Sequence, residues 1–290
     1  MKLVVTGSSG RVGRAIVRAL AGDHDVVGLD RTPFPTTRVT ADICDPGALE
    51  AAMAGADAVI HAAALHAPHV GRVSDTEFWR INVDATRTLA ECARRLHIPR
   101  VVFTSTTALY GNVVEATRCV WIDEATAPQP RTIYHRTKHE AERALAELAG
   151  PRLAVRILRV GRCFPEPVNR TAVYRLHRGV DVRDVAVAHA AALVNPGPAF
   201  QCHVVSGRVA FQPDDCEALA CGADAVIRNR CPELADAFDR RGWPLPTCID
   251  RVYASRSAAT DLAWHPRHGF AEVLAQFDRQ CPEVLPPDWP

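Results

Sequence analysis

Lysine is almost missing from this chain. Of 34 basic residues only two are lysine, Lys2 and Lys138; the other 32 are arginine. Net charge is nearly missing as well: 34 basic against 33 acidic residues leave +1. With no basic run either, a dedicated nucleic-acid surface is excluded. No apolar stretch approaches the roughly 18 residues needed to span a bilayer, so no membrane partner is expected. No CxxC occurs among the ten cysteines, and most sit in apolar contexts such as "AECARRL" and "FQCHVV". They read as reduced thiols used as small hydrophobes. The closest pair, Cys216 and Cys221, has no histidine or second pair at zinc-site spacing, so no metal is expected. Repeats and low-complexity segments are absent. Met1 runs straight into "KLVVTG", which leaves no room for a signal peptide and makes the expected address cytoplasmic.

What is present is a chain of 290 residues, 48% hydrophobic and 23% charged, long enough to bury a sizeable core. Through the first 160 residues, short Val- and Ile-rich runs alternate with amphipathic segments. "KLVVTG", "HDVVGLD", "RVTADI", "ADAVIHAAA", "RVVFTSTT" and "RLAVRILRV" read as six strands. Between them "RVGRAIVRALAG", "DPGALEAAMAG", "SDTEFWRINVDATRTLAECARRLHI" and "RTKHEAERALAELAG" read as helices. Asp45 is a plausible cap ahead of Pro46 at the first helical position. This rhythm predicts an α/β fold: a Rossmann-type, doubly wound parallel sheet. The expected domains are a dinucleotide-binding unit over 1–160, completed by 181–206, and a smaller, mostly helical substrate lobe from 161–180 and 207–290.

"VVTGSSGRVGRAIV" sets glycines at the first strand-to-helix turn. A glycine turn lets backbone approach a pyrophosphate, while the helix start offers free N–H groups and the positive end of its dipole. Gly7, Ser9, Gly10, Arg11, Val12 and Gly13 are therefore the candidate cradle. Asp30 ends the second strand, where a carboxylate accepts both ribose hydroxyls of NAD and repels a 2′-phosphate. Arg31 follows at once and is the one feature favouring NADP; NAD is the expected cofactor. Asp42 and Ile43 follow the third strand. Asp42 reads equally as an adenine neighbour or as a turn residue.

Tyr134 and Lys138 stand at i,i+4 near a helix start, so they share one face. A phenol near pKa 10 is a poor base at neutral pH unless a cation stabilises its anion. A lysine ammonium is a compact charge that arginine's planar fork does not replace. That is a physical reason for lysine to persist in an arginine-biased chain.

"TGSSGRVG", "HAAA", "STTALYG", "YHRTK" and "DLAWHP", in that order, resemble the extended short-chain dehydrogenase/reductase family, in its NAD-dependent epimerase/dehydratase group. The resemblance implies Tyr134 as acid/base, Lys138 as its support, and Thr106, counted back from Tyr110-Gly111, as the hydroxyl that orients the reacting oxygen. Ser105 precedes it, and Thr107 is the weaker candidate. It also implies that Ala62, Ala63 and Ala64 line the cofactor and that Asn82, where the helix is interrupted near the site, helps bind it together with Tyr134 and Lys138. Ala85 replaces the usual glycine there. Thr107-Ala108 stand where family sugar dehydratases carry Asp-Glu, which counts against dehydration. The family also allows a homodimer built on the helices before and at the tyrosine motif.

Two loops at strand ends should meet the substrate: 64–71, with His66 and His69, and 162–179, with Arg162, Asn169, Arg170 and Arg175. "LRVGRCFPEPVNR" resembles uronate dehydrogenases, whereas "STTALYG" and the tail resemble nucleotide-sugar epimerases. The expected function is hydride transfer at a carbinol carbon of a sugar or nucleotide sugar, with UDP-glucose-type 4-epimerisation as the first label. A uronate or other sugar dehydrogenase and a non-catalytic NAD sensor are the alternatives.

Overall fold

The computed structural model describes residues 1–115 and 117–282. Seven strands form one parallel sheet: β1 Lys2–Thr6, β2 Asp25–Asp30, β3 Val39–Thr40, β4 Ala58–His61, β5 Arg100–Thr106, β7 Ala154–Val160 and β8 Phe200–Val205. Their order is β3-β2-β1-β4-β5-β7-β8. The order reverses direction beside β1, which leaves a crevice at the carboxyl ends of β1 and β4. Helices α1 (Arg11–Leu20) and α7 (Val182–Val194) cover one face, with Ile16, Leu20, Val185 and Ala188 packed on Leu3 and Val5. Helices α2 (Pro46–Met53), α4 (Ala85–Arg95) and α5 (Ile133–Leu148) cover the other. Burial on both faces explains why the strands read as continuous apolar runs rather than alternating ones.

Local chemistry sets the helix ends. Asp45 caps α2, its carboxylate accepting from the N–H groups of Gly47 at 2.9 Å and Ala48 at 3.2 Å. Thr132 caps α5 through the N–H of His135. The long helix expected over "SDTEFWRINVDATRTLAECARRLHI" is interrupted. It runs as α3 (Asp75–Trp79), a π-helical turn at Arg80–Asp84, then α4. Such π turns insert one extra residue and recur at functional sites. The third strand is shorter than expected, two residues only.

Helices α6 (Val168–Tyr174), α8 (Cys216–Cys221), α9 (Ala223–Arg230), α10 (Pro232–Arg241) and α12 (Phe270–Asp278) gather into a lobe around a core of their own, whereas α11 (Arg256–Asp261), expected in that lobe, packs through Ala258 on the core of the large sheet. A small parallel sheet that the sequence did not suggest joins the lobe: β6 (Val120–Ile122) pairs with β9 (Arg251–Tyr253). Cys119 belongs to the lobe's own core with Phe211, Leu234 and Phe238. The tail motif "DLAWHP" anchors on α7. Buried Trp264 donates from Nε1 to the Asp184 carbonyl at 3.0 Å, and the Asp184 carboxylate accepts from the N–H groups of Arg267 and His268. All ten cysteines are free thiols. No described helix is long and apolar enough to cross a membrane.

Candidate functional site

A cavity of about 490 Å³ opens at the carboxyl ends of β1, β2, β4, β5 and β7. At one end the β1–α1 turn forms its floor. Gly7 adopts φ +72°, and a Cβ there would stand 2.6 Å from the Ala63 nitrogen; a Cβ on Gly13 would stand 2.0 Å from the Gly7 oxygen. Only glycine lets these three backbones close up. Gly10 caps α1 without a side chain, so the helix start faces the cavity through bare N–H groups. Gly7, Ser9, Gly10, Arg11, Val12 and Gly13 all line this end. Asp30, Arg31, Asp42 and Ile43 line the next stretch, and Ala62, Ala63 and Ala64 the wall after β4. The Asp30 carboxylate is pinned at the mouth, accepting from the N–H of Ser9 at 3.1 Å and of Thr32 at 2.9 Å. Asp42 accepts from the Cys44 N–H at 2.9 Å. That bond, against the opposing effect of burial and with help from Arg80, keeps its carboxyl below the usual range.

Asn82 is placed differently from expectation. It is 1% exposed and does not line the cavity. Its side chain clamps Leu65 from behind, accepting from the Leu65 N–H at 2.8 Å and donating to the Leu65 carbonyl at 3.0 Å; it also donates to Thr137 Oγ1 at 3.1 Å. Behind it runs a buried polar chain. Thr86 donates to the Asn82 carbonyl, His61 Nε2 bonds Thr86 Oγ1 at 2.9 Å, and His61 Nδ1 bonds Thr6 Oγ1 at 2.6 Å. Because the Thr86 hydrogen is already committed, His61 must be protonated at Nε2 and accept at Nδ1. Burial, with Lys138 nearby, pushes His61 down to about 3, so it stays neutral. The "HAAA" motif thus contributes a tether as well as small wall residues.

At the other end stand Thr106, Tyr134 and Lys138, brought together from β5 and α5. Thr106 is near enough to Tyr134 to act on its phenol. Ser105 is spoken for: its hydroxyl donates to Glu142 Oε1 at 2.5 Å. Thr107 turns away into the core and donates to the Val160 carbonyl at 3.4 Å; as a substrate contact it is a correction. Lys138 is 2% exposed. Its Nζ donates to the Thr104 carbonyl at 2.8 Å and lies 3.7 Å from the centre of the Phe103 ring.

The electrostatics differ from the expected phenol made acidic by an ammonium. Burial pushes Tyr134 up to about 12, with the neighbouring Thr106 hydroxyl only partly offsetting it. Burial likewise pushes Lys138 down to about 7, against the pull of Glu142. At neutral pH Tyr134 therefore carries its proton.

The loop residues separate into two groups. His66 and His69 line the cavity, their rings 4.6 Å apart, with the Phe164 ring 5.5 Å from His66. Burial and the neighbouring His69 lower the His66 pKa. Arg162, Asn169 and Arg170 do not line it. Arg162 and Arg170 both pair with Glu166, and Asn169 accepts from the Arg170 N–H at 2.8 Å. Thr32, Leu65, Ile81, Thr104, Cys163 and Phe164 complete the walls and were not anticipated. Cys163 and Phe164 lie just past Gly161 and Arg162 at the end of β7, inside the loop that the strand-end rule marks for the substrate, though neither was singled out. Among the described residues no group of three or more His, Cys, Asp or Glu side chains is placed to hold a metal.

Residues 3–167 match the model of the NAD dependent epimerase/dehydratase family. The chain belongs to that family. Membership makes NAD the cofactor, and the glycine cradle, the bare α1 start and Asp30 fit a dinucleotide. Among curated members, the L-arabinose 1-dehydrogenase (NAD(P)(+)) of Haloferax volcanii is 37% identical over 120 residues, 40% of this chain and 46% of that one. The N-acetyl-alpha-D-glucosaminyl-diphospho-ditrans,octacis-undecaprenol 4-epimerase of Escherichia coli O157:H7 is 29% identical over 180 residues, 60% and 52%. The chain thus spans about half the length of these relatives. In fold, this family member superposes on UDP-N-acetylglucosamine 4-epimerase from Bacillus cereus with TM-score 0.72 at 20% identity, covering 97% of this chain and 98% of that one.

The depressed Lys138 pKa gives this family member a testable stability signature. The unfolded lysine titrates near 10.5 and the folded one near 7. Between those values the unfolded chain binds more protons, so stability rises with pH, and the cost of the buried ammonium is fully felt below pH 7. For the protein without NAD, denaturant unfolding between pH 7 and about 9 should show wild-type stability climbing relative to Lys138→Met. Parallel curves would mean the ammonium stays charged in the fold.

Proposed function

We propose that the protein is an NAD-dependent dehydrogenase that oxidises a carbinol carbon of a small, uncharged sugar. The observation that carries this is the character of the substrate end. Thr106, Tyr134, His66, His69, Val160 and Phe164 offer hydroxyls, imidazoles and apolar surface. None of these six carries a full charge; Lys138 is buried beside them, and Arg11, which also lines the cavity, donates from Nε to the Cys163 carbonyl. Arg162 and Arg170, the nearest cations of the substrate loop, are both closed onto Glu166. A nucleotide diphosphate would need such cations. The linker from α6 to α7 is also short, residues 175–181. The likeness to an L-arabinose 1-dehydrogenase points the same way.

In this reading NAD, when bound, supplies the hydride chemistry at the carbinol carbon. The side chains handle the proton. Thr106 holds the substrate oxygen against the Tyr134 hydroxyl. Tyr134 gives its proton to that oxygen in reduction; in oxidation it takes the carbinol proton as the phenolate, its own proton having first passed to solvent, so oxidation should speed up as pH rises toward the phenol's pKa. Lys138, anchored on Thr104 and Phe103, would help hold the ribose of the bound cofactor. Asp30 accepts from the adenosine ribose and disfavours a 2′-phosphate. Asn82 and the Thr6–His61–Thr86 chain act one layer back, fixing the wall at Leu65.

The second reading is 4-epimerisation of a nucleotide sugar, favoured by the 60% of the chain that aligns with a lipid-linked sugar 4-epimerase. The protein incubated with NAD and, separately, with free aldoses, uronates and UDP-sugars decides between them. Accumulation of reduced nicotinamide with free aldoses is the expected result. Interconversion of UDP-sugars without net reduced nicotinamide would establish the epimerase. Tight NAD binding with no turnover of any of these would leave a sensor.

A further inference from the structure

A second cavity, about 590 Å³, lies between α1, α6 and the start of α7, on the far side of the loop carrying Cys163 and Phe164. Five arginines line it, Arg11, Arg14, Arg18, Arg175 and Arg183, against one carboxylate, Asp181. Arg175, anticipated as a substrate-loop residue, faces this cavity and not the first.

Asp181 cannot neutralise the group. Its carboxylate already accepts from Arg183 Nε at 2.9 Å and Nη2 at 3.1 Å, and from Arg175 Nη2 at 3.2 Å. Arg175 is only 7% exposed, yet its Nε is buried without a hydrogen-bond partner. A buried guanidinium donor left unmatched is costly. Arg14 lies over the Phe34 ring at 4.7 Å. Arg18 is exposed and makes no ion pair among the described residues. Arg11 borders both cavities and donates from Nε to the Cys163 carbonyl at 2.9 Å. The remaining wall is small and apolar, with Ala15, Ala19, Ala186 and Pro165.

The geometry points to a binding site for a phosphate dianion, free or carried as a monoester on a small molecule, separate from the NAD cleft. Guanidinium forks match phosphate oxygens in pairs. Leaving Arg11 aside, Arg14, Arg18, Arg175 and Arg183 face two carboxylates, Asp181 and Glu272, the latter accepting from Arg183 at 3.2 Å, and an excess of positive charge remains. The volume exceeds inorganic phosphate, and the apolar wall would take the body of an ester. This site does not depend on which sugar the first cavity takes.

The test uses full-length protein saturated with NAD, titrated calorimetrically with inorganic phosphate and, separately, with glucose 6-phosphate. NAD saturation matters because the β1–α1 turn would otherwise bind phosphate itself. One saturable site is expected, tighter for the ester if the apolar wall is used and equal for both if phosphate alone is read. Arg175→Met and Arg18→Gln should each weaken it by about tenfold, the worth of one hydrogen bond to a charged group. Arg18→Gln should leave NAD affinity in phosphate-free buffer unchanged. Phosphate binding that vanishes under saturating NAD, or that survives both substitutions, would overturn the site. Should Arg175→Met fail to fold, Arg18→Gln, on an exposed side chain, decides alone.

Discussion

Replacing Tyr134 by phenylalanine is expected to cut turnover by roughly 100-fold or more, the usual worth of a general acid/base. The ring stays, so packing stays. What leaves is one hydroxyl, near Thr106 and raised to about 12 by burial. NAD affinity should change by less than about threefold, because the cradle at Gly7–Gly13 and Asp30 is untouched. Steady-state kinetics on the sugar found by the screen, together with fluorescence titration of NAD, reads both quantities. An active variant would hand the proton transfer to another group. A variant that lost NAD would make Tyr134 a binding residue instead.

Arg159→Met is expected to cost about 3–5 kcal/mol of stability, as breaking one side of a buried ion pair does. Arg159 and Glu142 are nearly sealed from solvent and joined through three contacts, the shortest 2.7 Å from Nη2 to Oε2. Burial works against the charge of Arg159, but the bonds to Glu142 outweigh it and raise its pKa. The same arginine donates to the Tyr110 hydroxyl at 2.7 Å, and Glu142 also accepts from Ser105. Methionine fills the space of the stem but strands Glu142 without its counter-charge. Urea unfolding measures the loss, and adding Glu142→Gln to Arg159→Met should recover part of it. A loss below about 1 kcal/mol would show that water or relaxation rescues the carboxylate. Since Ser105 precedes Thr106 and Glu142 lies one turn beyond Lys138, this pair also braces β5 against α5 at the proposed catalytic end.

Much of the architecture was legible because a doubly covered parallel sheet writes unbroken Val- and Ile-rich runs. The glycine turn was legible because its spacing answers a steric demand, visible in the 2.0 Å that a Gly13 Cβ would leave to Gly7. Tyr134, Lys138 and Thr106 were legible from i,i+4 spacing and family pattern. The remainder was hidden for physical reasons. β6 and β9 are three residues each, too short for periodicity, and are created by tertiary pairing. Thr107 follows β5, Arg162 lies in the loop after β7, and Asn169 and Arg170 lie in the first turn of α6; the Thr107 hydroxyl turns to Val160 and both arginines turn to Glu166, directions that tertiary contacts set and local sequence does not. Asn82 was placed at the site, but its task of gripping Leu65 from behind needed coordinates. The phenol's raised pKa likewise depends on burial that no spacing encodes.

The pairing of β6 with β9 carries a consequence for how the protein can be divided. Tyr253 of β9 reaches from its hydroxyl to the Thr107 carbonyl at 3.3 Å, and its ring lies 6.1 Å from that of Tyr110. Glu124, just beyond β6, accepts from the Val204 N–H of β8 at 2.8 Å and from Ser257 of α11 at 2.6 Å. The closing quarter of the polypeptide is therefore built into the scaffold behind Thr106, so a version shortened after β8 would forfeit the support of its own reaction centre. Swapping specificity by grafting a relative's tail would have to carry the 107–124 stretch along with it.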